Sequence, residues 1–186
     1  MKLFLSWSGT ASHQVALALR EWLPSVIQSL DPYVSSEDID KGARWSTDIA
    51  KELELSTYGI LCLTAENLHA PWLNFEAGAL SKTFDKGRVS PFLFGIKRSD
   101  VKDGPFLQFQ STLAEREDVR KLLHSINTAN SAATLEEPRL DQIFEVWWPQ
   151  LEKRFAQIRG TVDAIKGPEQ KGSSEKHPRS GEILEE

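Results

Sequence analysis

The chain of 186 residues carries a single cysteine, Cys62. One thiol cannot close an intramolecular disulfide, which excludes a disulfide-stapled secreted scaffold and fits a reducing compartment. No apolar run approaches the roughly 20 residues that a membrane-spanning helix needs. The first seven residues hold one basic side chain and an apolar stretch too short for a secretory leader. A cytoplasmic protein without membrane contact is therefore expected. Basic charge is scarce as well: 22 Lys and Arg stand against 27 Asp and Glu, a formal charge of −5. With no basic block in either half, nothing invites nucleic acid. The glycine-rich fingerprints are absent too. No G-x-G-x-x-G and no Walker loop occurs, which excludes a dinucleotide-binding Rossmann turn and a P-loop. His13, His69, His124 and His177 are scattered without metal-ligand spacing, so no metal is expected.

What is present is an ordinary globular composition, 40% hydrophobic and 26% charged, on a chain long enough for one domain with its own core. Residues 3–7 read as a buried strand. Val15, Leu19, Trp22, Leu23, Val26, Ile27 and Leu30 then recur at spacings of three and four, an amphipathic helix. A short second strand over 32–35 leads into a polar loop over 36–43 and a helix over 45–55. Residues 58–63 form a continuous apolar run, the pattern of a parallel strand covered on both faces. Pro71 suits the first position of the next helix. A fourth strand is predicted over 89–96, a fifth over 107–110, and closing helices over about 117–126 and 140–158. Alternating strands and helices predict an α/β fold with a parallel sheet. After Gly160 the composition turns to Gly, Pro, Ser, Lys and Glu, which predicts a folded domain over 1–158 and a disordered tail over 159–186.

In such a sheet ligands bind at the carboxyl ends of the strands. Those positions are Ser6, Trp7, Ser8 and Gly9 after the first strand, 35–42 after the second and 64–69 after the third. The first group can hold a phosphate through its hydroxyls and the helix amides, or Ser8 or Thr10 can simply cap the helix. Trp72 and Glu76, four apart, share one helix face. A carboxylate beside an indole in a half-buried position is poorly solvated, which marks Glu76 as a group with work to do. Without such work it is an early-helix acid that the macrodipole favours. Cys62, inside a strand, reads as core.

Four segments in order carry a family resemblance. Leu3-Phe4-Leu5-Ser6-Trp7-Ser8 is a hydrophobic strand ending in serine and an aromatic. Ser36-Glu37-Asp38-Ile39-Asp40-Lys41-Gly42 is an acidic-aliphatic loop closed by glycine. Tyr58-Gly59-Ile60-Leu61-Cys62-Leu63-Thr64 is the third strand, and Trp72-Leu73-Asn74-Phe75-Glu76 a W-x-x-x-E element. Over residues 1–158 the chain resembles the bacterial branch of the Toll/interleukin-1 receptor (TIR) domains. It departs from the family at Leu73, where a cysteine is usual.

The resemblance implies a flavodoxin-like, doubly wound sheet of five parallel strands. It also implies cleavage of the nicotinamide–ribose bond of NAD, as a glycohydrolase or ADP-ribose cyclase in bacterial antiviral or stress signalling. Glu76 takes the catalytic place, with NAD as substrate and no cofactor. Ser6, Trp7, Ser8, Asp38, Trp45 and Trp72 are the expected substrate contacts. Trp7, Trp45 and Trp72 can stack on a base or pack in the core, and Asp38 and Lys41 can be solvated loop charges. The chemistry is coherent for one acid. Nicotinamide departs as a neutral molecule from a cationic linkage, and a fixed carboxylate opposes the positive charge left on the ribose. Because such an enzyme would poison its host, the resemblance implies gating by homo-oligomeric or TIR–TIR assembly, an activating partner protein or a second messenger. The alternatives are a non-catalytic TIR–TIR adaptor and a nucleoside-ribose transferase.

Overall fold

In the computed structural model, residues 1–34, 56–68, 88–102 and 105–166 are described. Their strands are β1 (Lys2–Ser6), β2 (Asp31–Val34), β3 (Tyr58–Leu63), β4 (Val89–Leu93) and β5 (Thr112–Leu113). They form one sheet in the order β2-β1-β3-β4-β5, and every pair is parallel. The helices among the described residues are α1 (Thr10–Val26), α2 (Arg116–Ala129) and α3 (Glu137–Lys166). This is the flavodoxin-like, doubly wound α/β architecture in a single domain. The predicted loop over 36–43 and the predicted helices over 45–55 and from Pro71 lie outside the described residues.

The period of two along each strand explains why both sheet faces are apolar. Leu3, Leu5, Ile60, Cys62, Phe92 and Phe94 belong to one core together with α1, α2 and α3. Phe4, Leu61, Leu63 and Leu93 belong to a second core with Phe106 and Phe109. Every residue of β3 is buried. Burial raises the Tyr58 phenol from 10.0 to about 12 and pushes the Cys62 thiol well above its usual range. Cys62 is thus an inert core residue.

Tyr58 carries a consequence for alkaline stability. An unfolded tyrosine ionises near pH 10, whereas folded Tyr58 holds its proton to about pH 12. Across that window unfolding releases a proton, so stability falls as pH rises through it. The loss should approach about 3 kcal/mol by the upper end, and Cys62 should add to it with the same sign. Urea melts from pH 8 to 12 should show the decline, and Tyr58→Phe should flatten it. An unchanged slope in that variant would shift the cause elsewhere.

Pro91 sits in β4, between β3 and β5, where a missing N–H is normally costly. Phe94 N–H donates to Leu63 O at 2.9 Å, and Leu93 O accepts from Ala114 N–H at 3.0 Å. Alternation then turns Pro91 toward the β5 side. There β5 begins only opposite Phe92, so the carbonyl that an N–H would have reached lies before the strand starts.

Two expectations need correction. The fifth strand is not residues 107–110: Pro105–Gln108 is a 3-10 helix, and β5 follows at Thr112–Leu113. The apolar period there is three rather than two. Phe106 and Phe109 are buried while Leu107 is 59% exposed.

The second correction concerns α3, which runs through Gly160 to Lys166, past the Ile158 boundary. Its buried stripe is Leu140, Phe144, Trp148, Leu151, Phe155 and Ile158, and the next helical step is Val162, which packs on the same core. Gly160 costs a helix only about 1 kcal/mol relative to alanine, and the continuing stripe offsets that. A chain ending at Ile158 should be about 1–2 kcal/mol less stable than one ending at Lys166, read from urea midpoints. Equal midpoints would show that Val162 contributes nothing.

Candidate functional site

The site is built where β1 and β3 end side by side, with Ser6 opposite Leu61. After Ser6 the chain passes Trp7 and Ser8 and enters α1 through Gly9, the N-cap residue, at φ 81°. A side chain at Gly9 would be strained on that account alone. It would also collide, because a Cβ there would lie 2.7 Å from the Glu66 carboxyl carbon.

That closeness has a cause. The Glu66 carboxylate accepts hydrogen bonds from the Thr10 N–H at 3.4 Å and the Ala11 N–H at 3.2 Å. These amides belong to the first turn of α1, which has no intrahelical partners and carries the positive end of the helix dipole. Neither serine nor threonine caps the helix, contrary to the local reading of Ser8 and Thr10: the N-cap makes no side-chain cap bond. An acid from the turn after β3 takes that role instead.

A buried network fixes the two turns to each other. The Thr64 N–H donates to Asn67 Oδ1 at 2.8 Å, and Asn67 Nδ2 donates to Ser8 O and Cys62 O, each at 3.0 Å. The Ser8 N–H donates to Ser12 Oγ, and Ser12 Oγ donates to Cys62 O, both at 3.0 Å. Asn67 is 2% exposed and Ser12 is fully buried, so these bonds are made away from water, where an unmet polar group is costly. One side chain, Asn67, thus joins the ends of β1 and β3. Thr64 Oγ1 stands apart: it is buried and has no hydrogen-bond partner among the described residues.

Of the expected substrate contacts, Ser6, Trp7 and Ser8 come to this rim. Ser6 and Ser8 are buried, and the bonds of Ser8 named above are made by its backbone. Trp7 is partly buried against the main core, and its ring stacks on His13 at 3.9 Å between centroids. Asp38, Trp45, Trp72 and Glu76 lie outside the described residues. Among the described residues no group of three His, Cys, Asp or Glu could hold a metal ion. No helix among them is long and apolar enough to cross a membrane.

Sequence reasoning passed over Glu66, Asn67 and Ser12. The signal for Asn67 was legible: a threonine followed three residues later by asparagine, directly after an apolar strand, is turn chemistry. For Glu66 no local signal exists, since its partners lie 55 and 56 positions away. Comparison with known proteins adds no relative: the chain matches no family model, no curated protein and no solved structure.

Proposed function

We propose that the protein cleaves the nicotinamide–ribose bond of NAD, with Glu76 as the catalytic carboxylate. The observation that carries this reading is the W-x-x-x-E element, Trp72 to Glu76, following β3 in a chain whose sheet order is 2-1-3-4-5. In sheets of this kind ligands gather at the carboxyl edge beside the strand where the winding reverses, here β1. Ser6 to Gly9 and Thr64 to Glu66 both stand at that edge, and Glu76 comes next in the chain after the β3 turn.

The chemistry asks little of the protein beyond position and charge. As the glycosidic bond lengthens, the ribose takes on oxocarbenium character, and a fixed carboxylate in a poorly hydrated cleft opposes that charge. Water as the acceptor gives ADP-ribose; an internal nucleophile gives a cyclic product. NAD is consumed as a substrate, and activity is switched on by assembly or by an activating partner.

Incubating the purified chain with NAD, alone and at concentrations that drive assembly, and separating the products by chromatography tests the proposal. Release of nicotinamide with ADP-ribose or its cyclic form is expected. Assembly without any NAD consumption would move the reading to a TIR–TIR adaptor. Transfer of the ribose to an added nucleophile, with no hydrolysis, would move it to a transferase.

A further inference from the structure

Across the sheet from the rim, at the edge where β3 and β4 begin, lies a small cavity of about 170 Å³. Tyr58 opens β3 and Ser90 lies at the start of β4; Thr112 opens β5, and Lys121 reaches the cavity from α2. At about 30 Å³ for each water, it has room for about five waters or one phosphate-sized ion, and none for a nucleotide.

Two of its side chains have no structural partner. Tyr58 is 3% exposed and lines the cavity, yet its phenolic oxygen has no hydrogen-bond partner among the described residues. Burial is the sole cause of its raised pKa, in keeping with a phenol that has neither donor nor acceptor beside it. A buried phenol normally finds a partner, and the cavity is a side from which one can come. Lys121 lines the same cavity, is exposed, and forms no ion pair among the described residues.

The acid of the cavity is already engaged. Asp118 accepts from the Arg98 guanidinium and, at 2.9 Å, from the Leu113 N–H. Arg98 and Asp118 therefore offset each other, and the charge left at the cavity is the Lys121 ammonium. The buried hydroxyls of Ser90 and Thr112, 2.9 Å apart, make the wall between them polar.

From a buried phenol without a partner and an uncompensated ammonium on one small cavity, we propose that it binds a phosphate-sized oxyanion, free or as the end group of a small phosphomonoester. Tyr58 donates its O–H to one oxygen, and Lys121 opposes the charge. A neutral polyol fits the volume but leaves the ammonium unopposed. The site shares no residue with the rim or with Glu76, and its test reads binding rather than turnover. Either reading can therefore fail without the other.

Titration calorimetry on the full chain at pH 7 and constant ionic strength tests this, with inorganic phosphate, glycerol 3-phosphate and glycerol as probes. At least one of the two phosphates is expected to saturate with Kd below about 1 mM, and glycerol to bind at least about tenfold more weakly. Whichever phosphate binds more tightly identifies the source of the anion, and either result supports the site. Lys121→Met should weaken that phosphate about tenfold, whereas Lys153→Met, which removes the same charge away from the cavity, should leave Kd unchanged. Tyr58→Phe should weaken it about fivefold while melting at or above wild type at pH 7, because it removes a buried hydroxyl that has no partner. That opposition of sign is not produced by a purely structural phenol. Absence of saturable phosphate binding overturns the proposal, as does glycerol binding as tightly as either phosphate. So does binding that Lys121→Met or Tyr58→Phe leaves unchanged, or that Lys153→Met weakens equally, which reduces it to general charge attraction.

Discussion

Asn67→Ala should cost about 3–4 kcal/mol of stability, a large share of the 5–15 kcal/mol typical of a domain. The amide makes three hydrogen bonds from one buried position, to Thr64 N–H, Ser8 O and Cys62 O. Truncation leaves the Thr64 donor and the Ser8 acceptor without those bonds and opens a small void. The Cys62 carbonyl is less affected because Ser12 Oγ also donates to it. At about 2–4 °C per kcal/mol for a chain of this size, the melting temperature should fall by about 10 °C. Asn67→Asp gives the sharper test, since it keeps the shape and the acceptor but sets a carboxylate against two carbonyl oxygens. At pH 7 it should be at least as damaging as alanine, and the damage should shrink as the pH falls toward 5, where the neutral acid can donate again. A loss under about 1 kcal/mol in both variants would show that water replaces the amide and that the two turns are held by the sheet alone.

The frame of this protein was legible in the sequence because it rests on patterns that survive without tertiary context. The continuous apolar run of β3 and the three-and-four spacing of α1 each determine their own element. The alternation of strands with helices gives the parallel α/β sheet. Its flavodoxin-like form is an expectation from the family resemblance, whereas the order 2-1-3-4-5 is read from the structure. Where the reading failed, a second signal competed with the first. Around Phe106 and Phe109 a short apolar cluster looked like a strand, yet its period of three belongs to a tight helical turn. At the end of α3, glycine and the polar composition suggested a stop, while the buried stripe continued one step to Val162. Composition averages over a window, whereas packing is decided one side chain at a time.

The rim was legible in a different measure. That Ser6 to Gly9 and Thr64 to Leu68 share an edge follows from topology. That Glu66 rather than a neighbouring hydroxyl satisfies the start of α1 does not, because the pairing depends on the separation of two turns in space. Gly9 has the same origin. Its sequence neighbours suit any helix start, whereas its positive φ and the Glu66 carboxyl group beside the place of a Cβ both come from how the two turns meet in space.

Glu76→Gln should abolish NAD cleavage while preserving the fold. Under the proposed function, glutamine keeps the length, the planar end group and a hydrogen-bond acceptor for a ribose hydroxyl, but it removes the charge proposed to oppose the oxocarbenium ion. Removing one preorganised electrostatic group commonly slows a reaction 100-fold or more, on the order of 3 kcal/mol in the barrier. If Glu76 acts on the transition state, the loss should fall on kcat with KM little changed, since ground-state contacts to the rest of NAD are untouched. Glu76→Ala should be no more active than Glu76→Gln, and both should melt close to wild type. The assay must use the assembled or partner-activated protein, because an idle chain makes every variant look inactive. Equal turnover by wild type and Glu76→Gln would remove the acid from the mechanism and point to a different carboxylate. A rise in KM alone would demote Glu76 to a binding residue, leaving the cleavage step to another part of the rim.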